Sequence, residues 1–105
     1  MDRRIETRVI DTGGAAWSTL IQKDACEVWW ISVYAETDGT KGLITLYDGF
    51  DAQGKLVWQA EPAREHHVNF IPCIPCDQGI FVYNDAHIAS YTIAYHGKGW
   101  PREQK

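Results

Sequence analysis

No stretch of this sequence stays apolar for long enough to cross a membrane. The longest apolar run, Val28 to Ala35, is interrupted by Ser32 and falls far short of the ~20 residues a membrane helix needs. The first residues are studded with charge (Asp2, Arg3, Arg4, Glu6, Arg8) where a secretory leader would carry its apolar stretch. A protein working in a cytoplasm, or in an assembly built there, is therefore expected, with no membrane partner. Excess positive charge is also missing. Ten basic against fourteen acidic side chains leave a net of −4, which excludes a general binder of polyanions, so no direct nucleic-acid binding is expected. Glycine-rich nucleotide cradles are absent, and none of Ser18, Ser32 and Ser90 lies in a nucleophile-elbow pattern. Catalysis is not expected, nor is a cofactor.

Cysteine is scarce as well, and its arrangement invites a metal reading that the rest of the chain does not support. Cys73-Ile-Pro-Cys76 is a C-x-x-C, but only Cys26 remains besides and no second C-x-x-C exists, whereas a structural zinc site needs four soft ligands. His66 and His67 are adjacent, so on a strand they point to opposite faces. The simpler reading is two small apolar residues in a proline-rich segment between strands, the alternative a local disulfide formed outside a reducing cell. The loop Asp48-Gly-Phe-Asp-Ala-Gln-Gly54 has carboxylates at its first and fourth positions and Gln59 at the twelfth, which misses the calcium-loop spacing. A hairpin connection in which Asp48 bonds back to its own turn is expected instead.

Amphipathic helical periodicity is missing too, and what is present alternates with period two. Strands are expected over 4–10, 27–36, 43–47, 55–60, 66–71, 80–83 and 89–95, with turn residues between them. The first reads as an edge strand with Ile5, Thr7 and Val9 inside and Arg4, Glu6 and Arg8 outside. Residues 15–25, carrying Trp17, fit a short helical turn or a loop. In 27–36, Trp29, Ile31, Val33 and Ala35 form one face and Val28, Trp30, Ser32 and Tyr34 the other. Both faces are apolar, so a central strand covered on two sides is expected. At 105 residues the chain has room for one domain: an all-β antiparallel sandwich or jelly-roll-like barrel of seven to eight short strands over 1–96, followed by a flexible tail over 97–105.

The surplus is aromatic: five Trp, five Tyr and three Phe, more than a core of this size normally needs. Some of these side chains are expected in the core and in cross-strand pairs. An exposed subset would form a protein–protein interface, where Trp and Tyr are enriched. Charge points the same way. Residues 11–96 hold four basic and eleven acidic side chains, while both ends are mildly basic, which suits termini that dock on an acidic neighbour, such as another copy. The interface candidates are Trp30, Tyr34, Trp58 and Trp100, with Arg3, Arg4 and Arg102 on the ends.

The runs Leu43-Ile-Thr-Leu-Tyr-Asp-Gly49, Gly54-Lys-Leu-Val, Phe70-Ile-Pro, Gly79-Ile-Phe-Val and Tyr91-Thr-Ile-Ala-Tyr95 together resemble small all-β virion-associated proteins of tailed bacteriophages. The resemblance spans residues 42–95. It implies a capsid decoration, cement or head–tail component without catalytic residues, located in the virion after assembly in the host cytoplasm. Its partners would be itself, as a homo-oligomer such as a trimer, and other virion proteins. Two readings of other classes stand beside it. One is a carbohydrate-binding module using Trp30 beside Tyr34 as an aromatic platform. The other is a metal-dependent domain built on Cys73, Cys76 and two of the four histidines.

Overall fold

The period-two segments pair into an all-β structure. The computed structural model describes residues 6–36 and 40–97 and contains eight strands. These are β1 (Glu6–Asp11), β2 (Trp17–Gln22), β3 (Cys26–Ala35), β4 (Ile44–Asp48), β5 (Lys55–Ala60), β6 (His66–Cys76), β7 (Ile80–Asn84) and β8 (Ile88–Gly97). They form two four-stranded antiparallel sheets, ordered β1-β8-β3-β6 and β2-β7-β4-β5. Four of the pairings are nested: β4 with β5, β3 with β6, β2 with β7 and β1 with β8. The chain is in effect one long hairpin, rolled up until β3 meets β8 and β4 meets β7. That is the jelly-roll form of the β-sandwich. Among the described residues no helix is long and apolar enough to cross a membrane. β8 carries regular structure to Gly97; the rest of the expected tail lies outside the described residues.

The core lies between the sheets. Val28, Ile31 and Val33 of β3 and Tyr91, Ile93 and Tyr95 of β8 face Ile44 and Leu46 of β4 and Ile80 and Val82 of β7, all buried. Two buried polar groups tie loops to this core. Asn84 donates from Nδ2 to the carbonyls of Ala15 (3.1 Å) and Asp85 (2.9 Å), and the Thr12 hydroxyl reaches the carbonyls of Ile88 and Ala89. The turn after β1 needs left-handed backbone at Gly13 and Gly14 (φ 65° and 77°), which only glycine adopts without strain. Asp11 caps it, accepting from Gly13 N at 3.0 Å.

Four local expectations need correction, each for a physical reason. Residues 17–22 form neither a helical turn nor a loop but β2, which pairs with β7: Thr19, opposite Val82, and Ile21, the extra residue of a bulge between Leu20 and Gln22, turn inward while Ser18 and Leu20 face out. In β3 the register slips between Val28 and Trp30. Trp29 is the extra residue of this bulge, so Val28 shares the inner face with Ile31 and Val33, and neither Trp29 nor Trp30 enters the core. The strand is central in its sheet but covered on one side only, with Tyr34 half exposed. β6 does not stop at Ile71; it continues through Pro72 and Pro75 to Cys76, which places Cys73 and Cys76 within a strand rather than between strands. Prolines are tolerated there because β6 is an edge strand. Residues 70–73 swell out opposite Trp29, and Ile71 is 90% exposed.

The fourth correction concerns β1. It is an edge strand, as expected, but its faces are reversed. Register with β8 sets Arg8 opposite Ile93 and Ile10 opposite Tyr91, so both lie on the inner side, and Val9 is 69% exposed. An edge position makes this tolerable. The Arg8 guanidinium crosses to the other sheet and donates to the Ile21 carbonyl at 3.1 Å while its flank stays wet. Ile5 and Arg4 lie outside the described residues.

Candidate functional site

Directly opposed residues of an antiparallel pair share a face, so the ladders define what each sheet shows to solvent. On the β1-β8-β3-β6 sheet the outer side is aromatic and polar. Trp30 aligns with Ala94 and Asn69, Ser32 with Thr92 and His67, and Tyr34 with Ser90. The Trp30 ring lies tilted over the His67 imidazole at 5.5 Å. His67 Nδ1 meets the Ser32 hydroxyl at 2.5 Å, and its Nε2 meets Asn69 Oδ1 at 3.0 Å. With Asn69 presenting its oxygen, Nε2 carries the hydrogen and Nδ1 accepts from Ser32. Both ring nitrogens are therefore engaged, and the Ser32–His67 pair sits mid-strand on a pleated face, not on the strand-to-helix turn that exposes a nucleophile. Further along, Trp29 covers His96, with ring centroids 6.5 Å apart, and His96 Nδ1 lies 3.9 Å from Glu27.

The other sheet carries a different surface, which sequence reasoning missed. Leu20 of β2 is opposite Phe81 of β7, Phe81 is opposite Tyr47 of β4, and Tyr47 is opposite Leu56 of β5. These four form an apolar row across all four strands on the solvent side. Leu20 and Leu56 are 42% and 50% exposed, and the Tyr47 and Phe81 rings tilt together at 6.2 Å. Next to it runs a polar row in which Gln59 donates to the Thr45 hydroxyl at 2.9 Å. The signal existed, since Leu20, Tyr47, Leu56 and Phe81 all stand at outward positions of their strands. It became legible only once the register joined them.

Of the other interface candidates, Trp58 is half buried and packs against the core from β5. It stacks on His66 (6.5 Å, 9°) and meets the Phe70 ring edge at 5.7 Å. It thereby closes the open side of the sandwich between edge strands β5 and β6. His66 and His67 do point to opposite faces, His66 toward Trp58 and His67 toward Trp30. Trp100, Arg3, Arg4 and Arg102 lie outside the described residues. Among the described residues no group of three or more His, Cys, Asp or Glu side chains is placed to hold a metal ion.

Asp48 does not bond back to its own turn. Its carboxylate reaches across to the β6–β7 loop, accepting from the backbone N–H groups of Asp77 (3.0 Å), Gln78 (2.9 Å) and Gly79 (3.4 Å). Asp51 organises the β4–β5 turn instead, accepting from Gln53 N at 2.9 Å. Partial burial pushes the Asp48 pKa up, but the three N–H bonds and the nearby Lys55 charge outweigh it, and the net shift is downward.

No protein-family model matches the chain, and no curated protein matches it in sequence. Among solved structures, a chain in the structure of infectious bursal disease virus Gt strain matches 95% of this chain at 16% identity, with a TM-score of 0.34. The matched region spans 30% of that viral chain.

Proposed function

We propose that this protein is a non-enzymatic structural subunit of a virion, acting through contacts between subunits. In finer terms it is a capsid decoration, cement or head–tail component of a tailed bacteriophage. Jelly rolls serve viral capsid and lectin domains alike, so the fold does not choose between functions and the surface must. The observation that carries the reading is the apolar row Leu20–Phe81–Tyr47–Leu56, which spans one sheet and faces water. A continuous apolar patch of this kind marks an interaction site, and a second copy of the chain is its first expected occupant. Sedimentation of the purified protein tests this: a homo-oligomer that survives dilution is expected, and a strict monomer without affinity for virion proteins overturns it.

The outer face of the other sheet favours a second reading, a carbohydrate-binding module. Trp30 and Tyr34 flank the polar groups of Ser32, His67 and Asn69, a combination that offers ring stacking beside hydrogen-bonding groups. Titration with soluble polysaccharides, followed by tryptophan fluorescence, decides it. A saturable change lost in Trp30→Ala supports the module, and a flat response across glycans removes it.

A further inference from the structure

The thiols of Cys26 and Cys76 stand at directly opposed positions of the β3–β6 ladder, and we propose that they are the site of a cross-strand disulfide. Both are completely buried and reduced in the structure. Opposed residues of an antiparallel pair have Cα atoms roughly 4.5–5.5 Å apart and side chains on one face. Disulfides span Cα separations of about 4.4–6.8 Å, so the bond can form without moving either strand. The next inward pair along the same ladder is Val28 with Ile74, both packed in the core, which fixes the facing direction of Cys26 and Cys76.

The neighbouring C-x-x-C is excluded by the same geometry. Cys73 and Cys76 are three residues apart on one strand, a span of about 10 Å with the side chains on opposite faces. The disulfide suggested by the motif would require β6 to unravel, whereas the one suggested by the register leaves it intact.

Access comes from position. Cys26 is the first residue of β3 and Cys76 the last of β6, and β6 is an edge strand. Local opening of this ladder end exposes both thiols without global unfolding. The oxidant is a small-molecule disulfide such as oxidised glutathione. One cysteine thiolate attacks it, forming a mixed disulfide and releasing one glutathione thiolate. The second cysteine thiolate then attacks the protein sulfur of that mixed disulfide and releases the other. The two protons lost by the cysteines are taken up by the departing thiolates, so one disulfide is consumed, one is made and two glutathione thiols result. In a reducing cytoplasm the pair stays as thiols; outside it the bond forms.

The test incubates the full-length protein with oxidised glutathione, unfolds it, alkylates the remaining thiols with iodoacetamide and digests it with trypsin. Cleavage places Cys26 in the peptide 24–41 and Cys73 and Cys76 together in 65–98. The expected product is a covalent link between these two peptides, with Cys73 alkylated, and an apparent Tm roughly 10 °C higher than that of the reduced protein. Cys73→Ser should keep the link and Cys76→Ser should lose it. A disulfide confined to 65–98, a link that vanishes in Cys73→Ser, or alkylation of all three cysteines overturns the proposal.

Discussion

At the scale of single residues, two side chains are expected to make stability depend on pH from opposite ends. Asp48 joins the β4–β5 and β6–β7 loops through three backbone N–H bonds, and its pKa is held below the ordinary 3.8. A carboxylate whose folded pKa is depressed adds stability that is fully present above the unfolded value and is lost as pH falls through the folded one. Asp48→Ala should cost about 1–2 kcal/mol at pH 7, the usual value of charged hydrogen bonds being reduced because the site is partly wet. It should also flatten the acid limb below pH ~4, measured as urea midpoints against pH. Tyr91 acts at the other end. Burial pushes its pKa up to about 12, against smaller opposing effects of Thr19 and Arg8. The unfolded phenol ionises near pH ~10, so the fold keeps its stability below that pH and should lose on the order of 2–3 kcal/mol as pH rises toward ~12. The Tyr91 hydroxyl approaches Thr19, but neither oxygen completes a well-formed hydrogen bond. Tyr91→Phe should therefore stay within about 1 kcal/mol of the parent at pH 7 and lose most of the alkaline decline. A residual slope would remain from Tyr95, which burial also raises. An unchanged alkaline limb in this variant would refute the assignment.

At the scale of elements, what the sequence revealed and what it hid follow from one distinction. Alternation reports which residues share a face as long as the ladder is regular, and in β8 the period-two positions Tyr91, Ile93 and Tyr95 do share the buried face. It fails at bulges and edges. One extra residue at Trp29 moves every later side chain of β3 to the other face, and nothing local in Val28-Trp-Trp-Ile announces it. Pro72 and Pro75 look like strand breakers because the edge position that tolerates them is a property of the whole sheet. Charge on β1 looked like an outer face, yet Arg8 turns inward because an edge lets it reach both Ile21 and water. The same distinction between centre and edge predicts dynamics. β3 and β8 are paired on both sides, as are β4 and β7, whereas β1, β6, β2 and β5 each have one neighbour. Hydrogen exchange should be slowest in the central four and faster in the edge strands. Amides of β1 exchanging as slowly as those of β8 would contradict this order.

At the scale of the whole molecule, the two sheets offer surfaces of different physical character, and their responses to salt separate the ways this chain could assemble. The body between residues 11 and 96 is strongly acidic, so two copies meeting through the apolar row repel one another electrostatically. Screening weakens that repulsion while leaving hydrophobic contact intact. Association through Leu20, Phe81, Tyr47 and Leu56 should therefore strengthen from low to physiological salt. Association through the basic ends, which attract an acidic neighbour, should weaken over the same range. Size sets a further demand. A stable interface buries about 800 Å² on each partner, more than one row of four side chains covers, so flanking groups must join it. Replacing Leu20 and Leu56 together by Asp puts two charges at the ends of the row, where each leucine is already half wet and contributes little to folding. Far-UV circular dichroism and the urea midpoint should stay near those of the parent, while sedimentation velocity at physiological salt should show the oligomer lost. An oligomer that persists in this variant but dissolves as salt is raised would move the contact from the sheet face to the basic termini.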